Sequence, residues 1–326
     1  MMKLYPFLFE PVYQQYLWGG TRIIDTFNRD AAPGVSAESW EISDRKEGMS
    51  VISNGPLAGR GLAEVLREAS AALLGDVQAN HFPLLIKILD AKQTLSVQVH
   101  PNDETAKRYG GEAKTEMWYV LDAEPGACVY AGYKPGMDEQ RFRQAVAGGT
   151  LENDLRMVPV KAGDAVFMPG GRVHAIGAGC LMLEVQQNSN TTYRIYDWGR
   201  VDADGNAREL HIDEAVQVTR WHDEAPVIVP PHKLACADDN ENWLILECEY
   251  FRMDKLVLRA PHRVHHEGAS FHALFCAQGL LQLTWDEGEL ELSAGVSCLV
   301  PAAVHDYHLK PAESESIVLR TMIGEG

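Results

Sequence analysis

Gln98, His100, Glu116 and His174 offer two imidazoles, a carboxylate and an amide oxygen, a donor set suited to a divalent ion of the zinc class. Gln98 and His100 lie two apart in the apolar alternating run Leu95 to Pro101, so they share one face of a strand. His174 ends the run from Gly163 to His174, which reads as a strand entering the turn Pro169-Gly170-Gly171. Proline fixes φ and glycine admits φ > 0, so the turn is sharp and the histidine beyond it has a set direction. Taken singly, a histidine before Pro101 or a carboxylate at a strand end has an ordinary structural explanation. Taken together, ligands dispersed over several strands are what a site inside a β-barrel requires. His262, His265, His266 and His272 form a rival cluster, with His305 and His308 as another. His265 and His266 would point to opposite faces of an extended chain, and Glu267-Gly268 suggests a loop, so this group is the weaker metal candidate.

The elements that must carry these residues are mostly strands. Glu38–Ser43, Phe82–Asp90, Leu95–His100, Glu116–Leu121, 164–168 and 180–187 have strand patterning. Tyr16 to Gly20 reads as an aromatic-rich turn. Helical spacing covers 61–75 with a glycine stop, 138–148 and His211–Thr219, with a further helical piece at 151–156. A short helix after His100 would be capped by Asn102 or Asp103. Three prolines in 224–233 suggest a linker, beyond which short strands with glycine turns indicate a sandwich or barrel.

The 326 residues suffice for two domains, and six cysteines without a CxxC pair read as buried thiols. The formal charge of -17 excludes a general nucleic-acid surface but not a local pocket for a small anion. The N-terminus lacks the pattern of a signal peptide and no apolar run has membrane-span length, so a cytoplasmic location is expected. Gly295 to His305 echoes Gly163 to His174, with Ala303 in place of the second turn glycine and Asp306 at the register of His174. The expected architecture is a metal-binding barrel with helical insertions over 1–230, followed by a C-terminal barrel over 231–326 that lacks metal ligands.

The stretch Gly163 to His174 is similar to the second signature of the cupin superfamily. Gln98-Val99-His100 stands where that superfamily usually carries His-x-His. Four motifs in order, Leu95–Asp103, Lys114–Tyr119, Pro169–His174 and Gln186–Trp198, resemble class I mannose-6-phosphate isomerases in their short bacterial form, and Tyr16–Gly20 and Glu38–Glu41 fit them too. The resemblance implies a mostly β protein of two cupin-like jelly-roll barrels with a few short helices. It implies one zinc ion per chain held by His100, Glu116 and His174 with Gln98 as fourth ligand, and interconversion of mannose 6-phosphate and fructose 6-phosphate. Arg194 matches the family's active-site arginine, Lys114 its lysine two before the metal glutamate, and Ser96 a serine near the sugar phosphate. Asn190 departs from the pattern, since many relatives carry Asp there; an amide cannot exchange a proton at neutral pH.

Aldose–ketose isomerisation moves a proton between C1 and C2 and must stabilise an oxyanion as it develops. A divalent cation and the permanently charged Arg194 can each hold that charge; Lys114 and a metal-bound water are both candidates for the base, and Lys114 is also a candidate substrate donor. Ser96, Lys114 and Asn190 are expected to contact substrate; Lys107, Arg108 and Arg172 are further candidates for the phosphate. Two other functions compete: a non-catalytic metal-containing cupin that binds sugar or regulates, and a cupin oxygenase. A cationic pair such as Arg194 and Lys114 beside the ligands favours the isomerase. The expected partner is a small sugar phosphate, with no nucleic acid or membrane, and the chain is expected to act as a monomer or small homo-oligomer.

Overall fold

The computed structural model describes residues 2–30, 34–201, 204–237 and 239–324. Continuous apolar runs and alternating segments become two pairs of facing antiparallel sheets, with five short α-helices among the described residues. In the first pair a seven-stranded sheet takes the order Ile228–Val229, Ala165–Met168, Glu116–Ala123, Cys180–Gln187, Leu84–Ala91, Glu38–Ile42 and Val12–Gln14. It faces a five-stranded sheet of Leu155–Pro159, Cys128–Tyr133, His174–Ile176, Val97–Val99 and Tyr193–Tyr196. The second pair repeats this plan. His272–Gln278 lies between Ser297–Val300 and Ser316–Met322, and a four-stranded sheet of His262–His265, Asp306–Pro311, Leu280–Trp285 and Gly288–Ser293 covers it. The architecture is the mostly β, cupin-like jelly roll expected, as two-sheet sandwiches.

Burial explains the patterning. Every residue of Leu84–Ala91 is buried, because this strand has a core on each face. Ile86 and Ile88 join a cluster with Phe275, Met253 and Leu319 of the second unit, while Leu89 and Ala91 join the interior of the first with Trp118 and Val166. The two large sheets therefore stand back to back. The helix Leu62–Leu74 places Leu62, Val65, Leu66, Leu73 and Leu74 against the shared cluster, and Gly75 ends it at φ +70°. Asn102 and Thr105 make the reciprocal capping pair that starts Asp103–Tyr109.

Several sequence readings are corrected. The segment 224–233 is more than a linker: Ile228–Val229 pairs with Ala165 and Val166 at the sheet edge, a position that tolerates nearby proline. The helical piece at 151–156 is one 3₁₀ turn, Leu151–Asp154, that gives way to the strand Leu155–Pro159. His262–His265 is a strand paired with Asp306–Pro311, and the chain leaves the sheet at Glu267-Gly268 as the loop reading has it. The strand Phe7–Glu10 pairs with Ser297–Val300, so the N-terminus is built into the C-terminal sheet. Of the six thiols, all free, Cys180, Cys276 and Cys298 are buried and the other three partly so.

Candidate metal centre and adjoining cavity

The turn Pro169-Gly170-Gly171 ties the three strands that carry the ligands. Gly171 N–H donates to the His100 carbonyl at 2.7 Å, and Gly170 N–H donates to Thr115 Oγ1 at 3.2 Å, next to Glu116. Gly170 packs so closely on Pro101 and Asn102 that a Cβ there would lie 2.7 Å from Asn102 Cα. Gly171 has φ +91°, the left-handed region expected of the second turn glycine. His174 then faces Gln98 across the strand pair.

His100, Glu116 and His174 converge, with one potential ligand atom from each lying within 4.8 Å of the others. All three are buried. Glu116 Oε1 is 3.2 Å from His174 Nε2, and Glu116 Oε2 is 3.7 Å from His100 Nε2. Both imidazoles are oriented by backbone oxygens: His100 Nδ1 lies 2.8 Å from Thr191 O, and His174 Nδ1 lies 2.8 Å from Arg172 O. A carbonyl can only accept, so each Nδ1 carries the proton and each Nε2 offers its lone pair to the cluster. Gln98 Nε2 is 3.3 Å from His174 Nε2, and rotation of the amide would present oxygen at that place.

These residues fit a divalent cation. His100 Nε2 and Glu116 Oε1 are buried without a hydrogen-bond partner, and Glu116 Oε2 has only the ion-pair contact of Lys114, a costly arrangement unless a ligand joins them. Burial pushes the Glu116 carboxyl up, but Lys114, His100 and His174 outweigh it and hold the group well below its ordinary range. Burial, with the Lys114 charge behind it, holds His100 well below the usual imidazole value. Anionic Glu116 beside a neutral His100 imidazole is the protonation state that metal ligation requires.

A cavity of about 310 Å³ opens beside the cluster, lined by Gln98, Lys114, Ser96, Asn190 and Arg194 among others. The fold thus brings Gln98, Lys114, Ser96, Asn190 and Arg194 to one cavity. Lys114 is no solvated strand-edge lysine: it is 6% exposed, with Nζ 2.7 Å from Glu116 Oε2 in ion-pair contact. Ser96 is buried on the cavity wall. Arg194 donates through Nη1 to Glu209 O at 3.0 Å, and its Nε is buried without a partner. Burial and the Arg208 charge press its guanidinium below the ordinary arginine value, where it still keeps its proton. Asn190 is exposed at the mouth, with its side-chain amide 3.4 Å from Glu47 Oε1.

Arg172 is removed from the phosphate candidates. It is fully buried, pairs with Asp223, and donates to Phe167 O at 2.7 Å, which braces the turn. Arg108 lies over the ring of its neighbour Tyr109.

Sequence reasoning missed Glu38, Lys87, Glu184 and Arg208, which also line the cavity. Lys87 Nζ lies 2.9 Å from Glu184 Oε2 and 3.6 Å from Glu38 Oε2. The indoles of Trp118 and Trp40 donate to Glu184 at 3.0 Å and Glu38 at 2.7 Å. Arg208 pairs with Asp197, which also holds Arg200. A signal was present, because single charges inside apolar strands, such as Lys87 and Glu184, must find partners.

The sequence profile of phosphomannose isomerase type I, catalytic domain, matches residues 7–131, and that of the mannose-6-phosphate isomerase cupin domain matches residues 241–319. The chain is 40% identical over 258 residues to mannose-6-phosphate isomerase ManA of Bacillus subtilis (strain 168), covering 78% of this chain and 80% of that protein. The crystal structure of the mannose 6-phosphate isomerase from Bacillus subtilis superposes with a TM-score of 0.89 at 30% identity, covering 98% of this chain and 99% of that one. A holo, zinc-bound mannose 6-phosphate isomerase superposes at 0.79 over 98% of this chain and all of its own; its 17% identity speaks for the fold alone.

Proposed function

The chain belongs to the mannose-6-phosphate isomerase family, and on that premise we propose that it interconverts mannose 6-phosphate and fructose 6-phosphate in the cavity beside His100, Glu116 and His174. The observation that carries this reading is the convergence of buried His100, Glu116 and His174 ligand atoms beside a cavity that also displays Arg194 and Arg208. A purely structural metal would need no such cations around an open space.

His100, Glu116 and His174 would hold one zinc ion, with the Gln98 amide oxygen as a fourth ligand. When bound, such an ion supplies Lewis-acid stabilisation of negative charge on substrate oxygens. The remaining work falls to the chain's own side chains. Arg208, supported by Asp197, would receive the phosphate as a fixed guanidinium fork, with the Ser96 hydroxyl as a further donor. Arg194 has an unpartnered buried Nε and would hold charge on a reacting oxygen without rearrangement. Lys114 Nζ, whose ammonium lines the cavity next to Glu116, would donate to a substrate oxygen. Trp18, Trp40 and Trp118 wall the cavity and limit water around the intermediate. Asn190 would contact substrate at the mouth as a hydrogen-bonding group and carry no proton.

We assign catalysis to residues 1–230 and a supporting barrel to 231–326, with Phe7–Glu10 as the strap between them. No helix among the described residues is long and apolar enough to cross a membrane. The six free thiols suit a reducing setting, and we place the activity in the cytoplasm, in a monomer or small homo-oligomer. A coupled assay of mannose 6-phosphate isomerisation tests this function: turnover that depends on added zinc supports it, and a zinc-loaded protein without turnover excludes it.

A further inference from the structure

Lys114 has two carboxylates within reach. Its Nζ lies 2.7 Å from Glu116 Oε2 and 4.0 Å from Glu184 Oε1. Glu184 is not free to move toward it, because Trp118 Nε1 donates to Oε1 at 3.0 Å and Lys87 Nζ holds Oε2 at 2.9 Å. Glu116 is also the one anionic member of the metal-ligand cluster. An ammonium and a divalent cation at the same carboxylate repel each other, and the low-dielectric surroundings strengthen that repulsion. Lysine is a compact charge on a flexible stem, able to cover the short distance between the two seats.

The second unit supplies an independent observation. Met168 faces Glu116 across its strand pair, and Val300, the equivalent of Met168 in the repeated strand, faces His272. Counting onward, Glu184 faces Trp118 and Lys87, while Arg320 faces Leu274 and Asp254. The duplicated positions therefore hold the same buried ion pair with its sign reversed. Lys87–Glu184 becomes Asp254–Arg320, where Arg320 Nη2 donates to Asp254 Oδ2 at 2.6 Å. The acidic member sits beside the ligand strand in the unit whose register position is Glu116, and a basic member sits there where that position is His272. The pair's polarity goes with the presence of a carboxylate that a cation would claim.

We propose that Glu184, fixed by Lys87 and Trp118, is a positioning residue that takes over the Lys114 ammonium when a divalent cation occupies Glu116, so that cation binding and lysine placement are coupled. This rests on the metal reading above. Lys114 and the cation compete for Glu116, and Glu184 relieves the competition while keeping the ammonium on the cavity wall.

Zinc titration of the full chain against a chelating indicator tests the proposal without any assay of turnover. Glu184→Gln should weaken zinc binding by about tenfold or more, because the displaced ammonium loses its second anion. Lys114→Met should bind zinc at least as tightly as the unsubstituted chain, and adding it to Glu184→Gln should restore affinity, which a merely structural role for Glu184 would not do. Zinc affinity unchanged in Glu184→Gln, or equally weak in the double variant, would overturn the proposal. Should Glu184→Gln fail to fold, Lys114→Met alone decides: weaker binding than in the unsubstituted chain overturns it. An unsubstituted chain that binds no zinc would instead overturn the metal reading on which it stands.

Discussion

Gly171 donates its backbone N–H to the carbonyl oxygen of His100 at 2.7 Å, so the turn that presents one metal-site histidine is bonded to the residue that is the other. With Gly170 N–H on Thr115 Oγ1, one tight turn ties together the strands of all three candidate ligands.

Gly170→Ala should therefore act on the metal. The added Cβ would lie 2.7–2.8 Å from backbone atoms of Pro101 and Asn102, which cannot yield as a flexible side chain would. Overpacking of this kind costs about 1–3 kcal/mol. Zinc affinity should fall by roughly tenfold or more while the far-UV circular dichroism spectrum is retained. Unchanged affinity would show that the turn does not set ligand spacing.

Arg194→Ala should separate metal binding from chemistry. Arg194 lines the cavity but is no member of the ligand cluster, so zinc content should stay at the level of the unsubstituted chain. Turnover should drop by roughly two to four orders of magnitude, the scale of losing an oxyanion donor or acid–base group. A near-normal rate would remove Arg194 from the mechanism.

Acid should loosen the C-terminal unit. The His266 and His272 rings stack at 4.0 Å, and His272 Nδ1 lies 2.8 Å from Tyr307 Oη. Burial, with His305 and Arg320 next, lowers the His266 pKa to about 4, and burial with Arg320 holds His272 well below its ordinary value. Folded values below the unfolded ones mean stability that is complete above about pH 6.5 and is lost as pH falls toward 4. Urea unfolding at pH 5 should show a loss on the order of 2 kcal/mol for each of the two imidazoles relative to pH 7, and His266→Gln should reduce that difference. A difference unaltered by the substitution would place the acid sensitivity elsewhere.

The candidate ligand residues stood out in the sequence because their signals are local. Proline and two glycines announce the turn before His174, and two-residue spacing puts Gln98 and His100 on one face. The cationic cavity was legible only in part. Lys114 and Arg194 entered through resemblance, while Lys87, Glu184 and Arg208 were passed over because their partners lie far along the chain. The pairing of Phe7–Glu10 with Ser297–Val300 was beyond any local pattern, since a strand's alternation states its face and not its neighbour. The edge strand Ile228–Val229 was hidden by the prolines around it, which forbid a central strand but not an edge.

The central claim is that His100, Glu116 and His174 hold a cation that isomerisation requires. Its most direct test is to strip the chain with chelator, add zinc in steps, and follow mannose 6-phosphate turnover in the unsubstituted protein and in His174→Ala. Stripped protein should be inactive, the unsubstituted chain should recover with about one zinc per chain, and His174→Ala should neither retain zinc nor recover. Full turnover by metal-free protein, or by His174→Ala with no zinc bound, would contradict it.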